Sequence, residues 1–285
     1  MSTTLLSEID IVPSSDVLGA EVRGVDIAEG IDEAALARIK TAWSDRLVLV
    51  LRAQEINDDQ LISFAKLFGE LDPPGPNPYG GPIYPQYPEL NVISNIVKDG
   101  RPIGNLGDGE AVWHADLTYT DHPPLGAILC AVELPKQGGN TEFANMYAAY
   151  EALDDATKRE IEGLQAIHDA AHNSAGMLRK GYQETTDVRE TPGARHLLVR
   201  TAPDTGRRCL YLGRRPNSYI IGLSVEDSDA LLDRLWAHAT EERFVTTHQW
   251  REGDVLMWDN RAVLHRRDAF DSDDRRRLHR AQLKG

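Results

Sequence analysis

The chain has 285 residues, 41% of them hydrophobic and 27% charged, with a formal net charge of −14. This is the profile of an ordinary globular protein with material for a large core. No apolar run approaches the roughly 18 residues that a membrane span needs, and an acidic balance argues against nucleic acid, whose phosphates need a basic face.

Met1 to Glu8 show no basic stretch followed by an apolar one, so no signal peptide is expected and a cytoplasmic location is. Leu36, Ile39 and Trp43 recur at helical spacing and predict a helix from Glu33 to Trp43, and the run Leu47-Val48-Leu49-Val50-Leu51 predicts a buried strand. Asn57 is placed to cap a second helix with Leu61, Phe64, Ala65 and Phe68 on one stripe, ending at Gly69. From Asp72 to Pro88 the density of Pro, Gly and Tyr precludes a regular element and marks a functional loop.

Strands are expected at Asn91–Ser94 and Val112–Thr120, around a turn-rich loop from Lys98 to Gly109, then at Gly126–Val132 and Thr141–Ala144. Met146–Leu153 and Asp155–Leu164 read as helices. Ala171 to Gly193 has no clear period and reads as an excursion or lid. Strands resume at His196–Thr201 and Cys209–Leu212, and Ser224–Thr240 is a helix with Leu231, Leu232 and Leu235 as its stripe. Phe244–Trp250, Asp254–Trp258, Ala262–His265 and Leu278–Leu283 close the chain as strands. Cys130 and Cys209 lie in apolar strand contexts and read as buried free thiols.

Many short strands, a few helices and no βαβ repeat predict a mainly β fold with peripheral helices: a double-stranded β-helix, or cupin-like jelly roll. It is expected as one domain over residues 1–285, with a substrate loop at about 72–110 and a lid at about 171–193.

In a strand, His114 and Asp116 at i and i+2 share a side. His265 closes the strand after Trp258-Asp259-Asn260-Arg261, and in a closed jelly roll a C-terminal strand can lie beside an early one. Two imidazoles and one carboxylate on one face of a metal are the ligand set of oxygen-activating iron(II). Arg276 and Arg280, at i and i+4 in the last strand, also share a face. With His265 on the neighbouring strand, one of them can hold the far carboxylate of a metal-chelating diacid.

Plainer readings stand beside these. The three ligands could be a hydrogen-bonded core set, Arg276 could pair with Asp271, Asp273 or Asp274, and Arg280 could form a structural ion pair. His168 and His172 could line one helical face, without a carboxylate partner to complete a metal site. His279 should point away from Arg280, and Trp113 and Trp258 read as packing residues.

Leu18-Gly19-Ala20-Glu21-Val22, Trp113 to Asp116, Pro123-Pro124, Gly138-Gly139-Asn140-Thr141, Met146 to Leu153, Trp258 to Arg261, His265, Arg276 and Arg280 follow one another in an order that carries a resemblance. Over nearly its whole length the chain resembles the taurine dioxygenase and aryloxyalkanoate dioxygenase family of Fe(II)- and 2-oxoglutarate-dependent oxygenases. The resemblance implies that His114, Asp116 and His265 hold iron and carry catalysis. It implies that Thr141 and Arg276 bind the distal carboxylate of 2-oxoglutarate, and that Arg280 meets the anionic group of the substrate.

The implied reaction uses O2 and decarboxylates 2-oxoglutarate to succinate and CO2, coupled to C–H oxidation of a small anionic molecule: a carboxylate, amino-acid derivative or sulfonate. Hydroxylation is the default, with desaturation, ring formation or fragmentation as alternatives. Asp116 stands where related halogenases carry a small residue, which speaks against halogenation. Taurine-specific members carry a histidine and a tyrosine just after Phe-Gly-Glu-Leu, whereas here Phe68-Gly69-Glu70-Leu71 leads into Asp72-Pro73-Pro74-Gly75, so taurine is not the expected substrate. Tyr79, Tyr84 and Tyr87, with Asn105 to Glu110, are expected to build a different pocket in which Tyr79 and Asn105 touch the substrate. A homo-oligomer, dimer or tetramer, is also implied. The competing reading is a non-oxygenase jelly-roll metal protein, disfavoured because a hydrolase has no need of the clamp formed by Arg276 and Thr141.

Overall fold

Four strands, Val48–Leu51, Val255–Asp259, Gly126–Glu133 and Arg277–Leu283, lie side by side at the centre of an eight-stranded sheet. The structure is a computed structural model describing residues 9–74, 84–106, 111–173 and 176–285, with backbone alone at 105, 106 and 111. The first three of these strands read as nearly continuous hydrophobic runs because both faces are covered. Alternation sorts them: Leu49, Leu51, Ile128 and Met257 meet the first two helices, while Val48, Leu129, Leu256 and Trp258 face inward with Phe143. Asp10–Pro13 and Ala20–Arg23 extend the sheet at one edge, and Leu90–Ser94 and Asn105–Leu106 extend it at the other.

The second sheet has four antiparallel strands in the order Val245–His248, Thr141–Asn145, Val263–Arg267 and Ala111–His114. Three longer helices lie outside the sheets. Asp32 caps Glu33–Arg46 through the Ala35 N–H, and Ser224 caps Val225–Ala239. Asn57 and Gln60 form a reciprocal capping box on Asp58–Lys66, satisfying two N–H groups that the helix itself cannot. Trp43, Phe64 and Phe68 lock the first two helices together, with edge-on rings 5.1 and 5.8 Å apart.

Several expectations shift. The first helix runs on to Arg46, and Leu47 leaves it at φ 65° rather than starting the strand. The strand expected over Val112–Thr120 stops at His114, and a turn follows in which Leu117 has φ 48°. The stretch His196–Thr201 divides into Arg195–Leu197, paired with Gln165–Ile167, and Val199–Thr201, paired with Arg208–Leu210. The Asp155–Leu164 helix ends at Glu160. Within the 171–193 excursion lie a bridge between His172 and Leu178 and a 3-10 turn at Val188–Glu190. Cys130 and Cys209 are buried and free, and no helix among the described residues is long and apolar enough to cross a membrane.

Gly126 opens a central strand where the ring of Trp43 crosses it. A Cβ there would lie 2.4 Å from the Trp258 carbonyl oxygen and 2.7 Å from the Trp43 ring. Gly126→Ala is therefore expected to cost about 1–3 kcal/mol through overpacking. Urea unfolding should show a lowered midpoint with an unchanged slope, and an unchanged midpoint would show that Trp43 moves aside freely.

Candidate metal centre

The smaller sheet puts two histidines opposite one another. Ala111–His114 pairs with Val263–Arg267 so that His265 is the cross-strand partner of His114, and their ring centroids are 4.2 Å apart. The C-terminal strand does lie beside the early one. The His114 Nδ1–H donates to the Val112 carbonyl at 2.7 Å, which fixes the tautomer and leaves the Nε2 lone pair for the site.

Asp116 is beyond the strand, so alternation does not aim it. Asn260 does. The Asp116 N–H donates to Asn260 Oδ1 at 2.7 Å, and Asn260 Nδ2 donates back to the Asp116 carbonyl at 2.9 Å and to that of Pro124 at 3.2 Å. The Ala115 N–H is held by the Gly213 carbonyl. Ligand atoms of His114, Asp116 and His265 come within 4.8 Å of one another, the one such metal-holding group of three or more among the described residues.

The electrostatics suit a cation. Burial is the largest single influence on Asp116 and would raise its pKa, but the Arg280 guanidinium, the hydrogen bond to His114 and the charge of His265 together outweigh it, and the carboxyl is held well below the usual range. Burial, then the neighbouring His114, push His265 down to about 3 against the opposing pull of Asp116. An ionised carboxylate and a neutral imidazole are the forms that ligate a metal. Trp258 and Phe143 pack on His265 at 4.9 and 6.1 Å, so Trp258 is a packing residue. Trp113 lies on the other side of its strand under the Arg266 guanidinium.

Arg276 sits just before the last strand and is 2% exposed. Its Nη2 donates to the Gly139 carbonyl at 3.2 Å, its buried Nε has no hydrogen-bond partner, and Asp271, Asp273 and Asp274 form no ion pair with it. Burial, then the like charge of Arg267, lower its pKa to about 9, so a carboxylate arriving there is met by a strongly favourable charge. Gly139, at φ 68°, makes the space: a Cβ would stand 3.1 Å from the Arg276 Nε. Thr141, two residues on, accepts a hydrogen bond from Trp250 Nε1 at 3.0 Å.

The last strand pairs with Gly126–Glu133 and Leu90–Ser94 in the larger sheet. His265 is therefore not on a neighbouring strand, and the arginines approach the histidines from the facing sheet.

Arg280 donates to Asp116 Oδ2 at 2.9 Å, so its ion pair is with a candidate ligand. His279 does point the other way, with Nδ1 2.6 Å from Asp58 Oδ1. Tyr84 donates to Asp58 and packs against His279, and Tyr87 donates to Asp59. Both tyrosines thus belong to the outer, helix-covered face and not to a pocket beside the metal. Tyr79 and the side chain of Asn105 lie outside the described residues. His168 and His172 are not on a helix: His168 follows the Gln165–Ile167 strand, and His172 is held between Asp169 and Glu184.

Sequence reasoning missed Asn260 and Arg214. Asn260 lies within the Trp258 to Arg261 segment, but a neutral amide carries no charge or metal affinity to single it out. Arg214 bridges through its backbone to His114, and its guanidinium binds the Asp169 carboxylate and the His172 carbonyl. It ties the start of the 171–193 excursion to the metal strand.

Sheets that converge two imidazoles and a carboxylate within 4.8 Å of one another present the ligand set of oxygen-activating iron(II). The model of the family described as Taurine catabolism dioxygenase TauD, TfdA family, matches residues 10–282, and the chain belongs to that family. It is an Fe(II)- and 2-oxoglutarate-dependent dioxygenase. It is 35% identical over 277 residues to the alpha-ketoglutarate-dependent 2,4-dichlorophenoxyacetate dioxygenase of Cupriavidus pinatubonensis, covering 94% of this chain and 95% of that one. It is 35% identical over 290 residues to the (S)-phenoxypropionate/alpha-ketoglutarate-dioxygenase of Delftia acidovorans, covering 95% and 92%. The crystal structure of AAD-2 in complex with Mn(II) and N-oxalylglycine superposes with a TM-score of 0.78 at 33% identity over 97% of each chain.

Asn260→Ala removes the pair of bonds that aims Asp116. Loss of such a supporting contact weakens metal affinity about 10- to 100-fold. Titration of the metal-free protein with Mn(II) checks this, and unchanged affinity would mean that Asp116 is aimed by something else.

Proposed function

We propose that His114, Asp116 and His265 hold the iron, that Arg276 and Thr141 bind the distal carboxylate of 2-oxoglutarate, and that Arg280 receives the anionic group of a small carboxylate of the aryloxyalkanoate type. The observation that carries the reading is Arg276, a buried guanidinium whose one side-chain hydrogen bond among the described residues goes to the Gly139 carbonyl, on the interior side of the sheet that also bears Arg280. A protein using the triad for hydrolysis gains nothing from such a group. The aryloxyalkanoate class is supported by the relatives acting on 2,4-dichlorophenoxyacetate and phenoxypropionate, and by the absence after Leu71 of the histidine and tyrosine of taurine-specific members.

Iron, when bound, supplies the activation of O2 that couples decarboxylation of 2-oxoglutarate to C–H oxidation, with hydroxylation as the default outcome. The chain's own residues bind and orient. Arg276 fixes the cosubstrate by its tail, so its oxo-acid end is presented to the triad. Arg280, bonded to Asp116, places the substrate's charge one guanidinium away from a ligand. Trp258 and Phe143 keep the back of His265 dry.

The two sheets facing one another over a shared core support a double-stranded β-helix, one domain over residues 1–285 with a substrate loop at 72–110 and a lid at 171–193. A homo-oligomer and a cytoplasmic location complete the proposal.

Anaerobic addition of Fe(II) and 2-oxoglutarate should give a weak visible charge-transfer band, and its absence with folded protein would refute the cosubstrate reading. Arg276→Ala should weaken 2-oxoglutarate binding at least about 30-fold, the cost of stripping the partner from a buried charge, while metal binding persists. Succinate release should be stimulated by aryloxyacetates and phenoxypropionates and not by taurine. Stimulation by taurine alone would overturn the substrate class.

A further inference from the structure

The hydroxyl of Thr141 is engaged on one side only. Thr141 is 7% exposed, and its Oγ1 accepts a hydrogen bond from Trp250 Nε1 at 3.0 Å. An indole N–H can only donate, so the threonine oxygen is the acceptor in that contact. The hydroxyl hydrogen therefore points away from the indole, and no acceptor meets it among the described residues.

The indole itself is held by a network that ends in a buried carboxylate. Thr141 is the cross-strand partner of His248, the last residue of the Val245–His248 strand, and Trp250 lies two residues further on. Its ring meets the His248 ring edge to face, with centroids 4.6 Å apart. His248 Nε2 lies 3.1 Å from Asp254 Oδ2. Asp254 is fully buried, and the same oxygen receives the Arg52 guanidinium and the Arg251 N–H. Arg52 Nη1 also donates to the Gln249 carbonyl at 3.2 Å, which ties down the backbone just before Trp250. The indole N–H thus arrives at Thr141 from a set direction.

A hydroxyl that accepts a hydrogen bond donates a stronger one, because each bond in a chain polarises the next. We propose that Trp250 is a positioning residue of the cosubstrate pocket: it occupies the acceptor side of Thr141 and aims the hydroxyl hydrogen at the distal carboxylate of 2-oxoglutarate. This rests on the reading that Thr141 and Arg276 bind that carboxylate. The consequence is selectivity for an acceptor. An ionised carboxylate offers acceptors alone, whereas a 2-oxo acid of the same length ending in a methyl group gives the hydroxyl nothing to donate to.

The test compares 2-oxoglutarate with 2-oxopentanoate by calorimetric titration into Mn(II)-loaded protein. Trp250→Phe keeps an aromatic ring and removes the N–H. It is expected to weaken 2-oxoglutarate about three- to tenfold, the worth of one hydrogen bond, and to leave 2-oxopentanoate within about twofold. In a Thr141→Val background the same change should weaken 2-oxoglutarate by less than about twofold further, because the hydroxyl through which it acts is gone. Equal weakening of both ligands would mark Trp250 as structural and overturn the proposal, as would a loss in the Thr141→Val background as large as in the wild type. Should Trp250→Phe lose its circular dichroism signal, Trp250→Met carries the same comparison. If Thr141→Val weakens 2-oxoglutarate and Trp250→Phe does not, Trp250 alone is misassigned; if Thr141→Val leaves 2-oxoglutarate binding unchanged, the cosubstrate reading at Thr141 falls and this proposal with it.

Discussion

The cross-strand register that sets His265 against His114 is the constraint on which the rest depends. A slip of one residue would turn His265 to the other face of the sheet and bring Leu264 or Arg266 into its place. The same register places Phe143 opposite His265 and Arg267 opposite Thr141, so one alignment orders a candidate metal ligand, its packing and Thr141 together. It is defended by the apolar core: Phe143 and Trp258 pack on each other and on His265, and a one-residue slip would break that packing.

The second sheet contributes through its distance and not through pairing. Arg280 reaches Asp116 across the gap between the sheets, and Arg276 reaches the Gly139 carbonyl. Had the last strand paired directly with the one bearing His265, side chains on a common face would stand about 5 Å apart and leave no space between clamp and metal. The ion pair between Arg280 and Asp116 then joins the two sheets at one charged contact.

Much of this was legible in the sequence. The long apolar runs at Val48–Leu51 and Gly126–Glu133, the Asn57 cap and the stripe of Leu231, Leu232 and Leu235 carry their own signal, because burial on both faces and helical spacing are local properties. Two-residue strands such as Tyr219–Ile220 carry none, being too short for any period. Thr118, Tyr119 and Thr120 favour extended backbone and so predict a longer strand after His114, whereas the chain turns at Leu117, next to the Asp116 backbone that Asn260 holds from far along the chain. Tyr84 and Tyr87 were misplaced since aromatic density says that a loop packs, not against which face. Arg267 sits in the run Arg266-Arg267-Asp268, which by composition reads as solvated charge, and only the register shows that one member turns inward.

Asn260 reaches Asp116 across 144 positions of sequence, and His265, Arg276 and Arg280 come later still. During synthesis, therefore, His114 and Asp116 emerge well before anything that can aim or complete them. On the proposed assignment of the iron ligands, the complete set forms only once the final strands have paired, so metal loading would report finished folding.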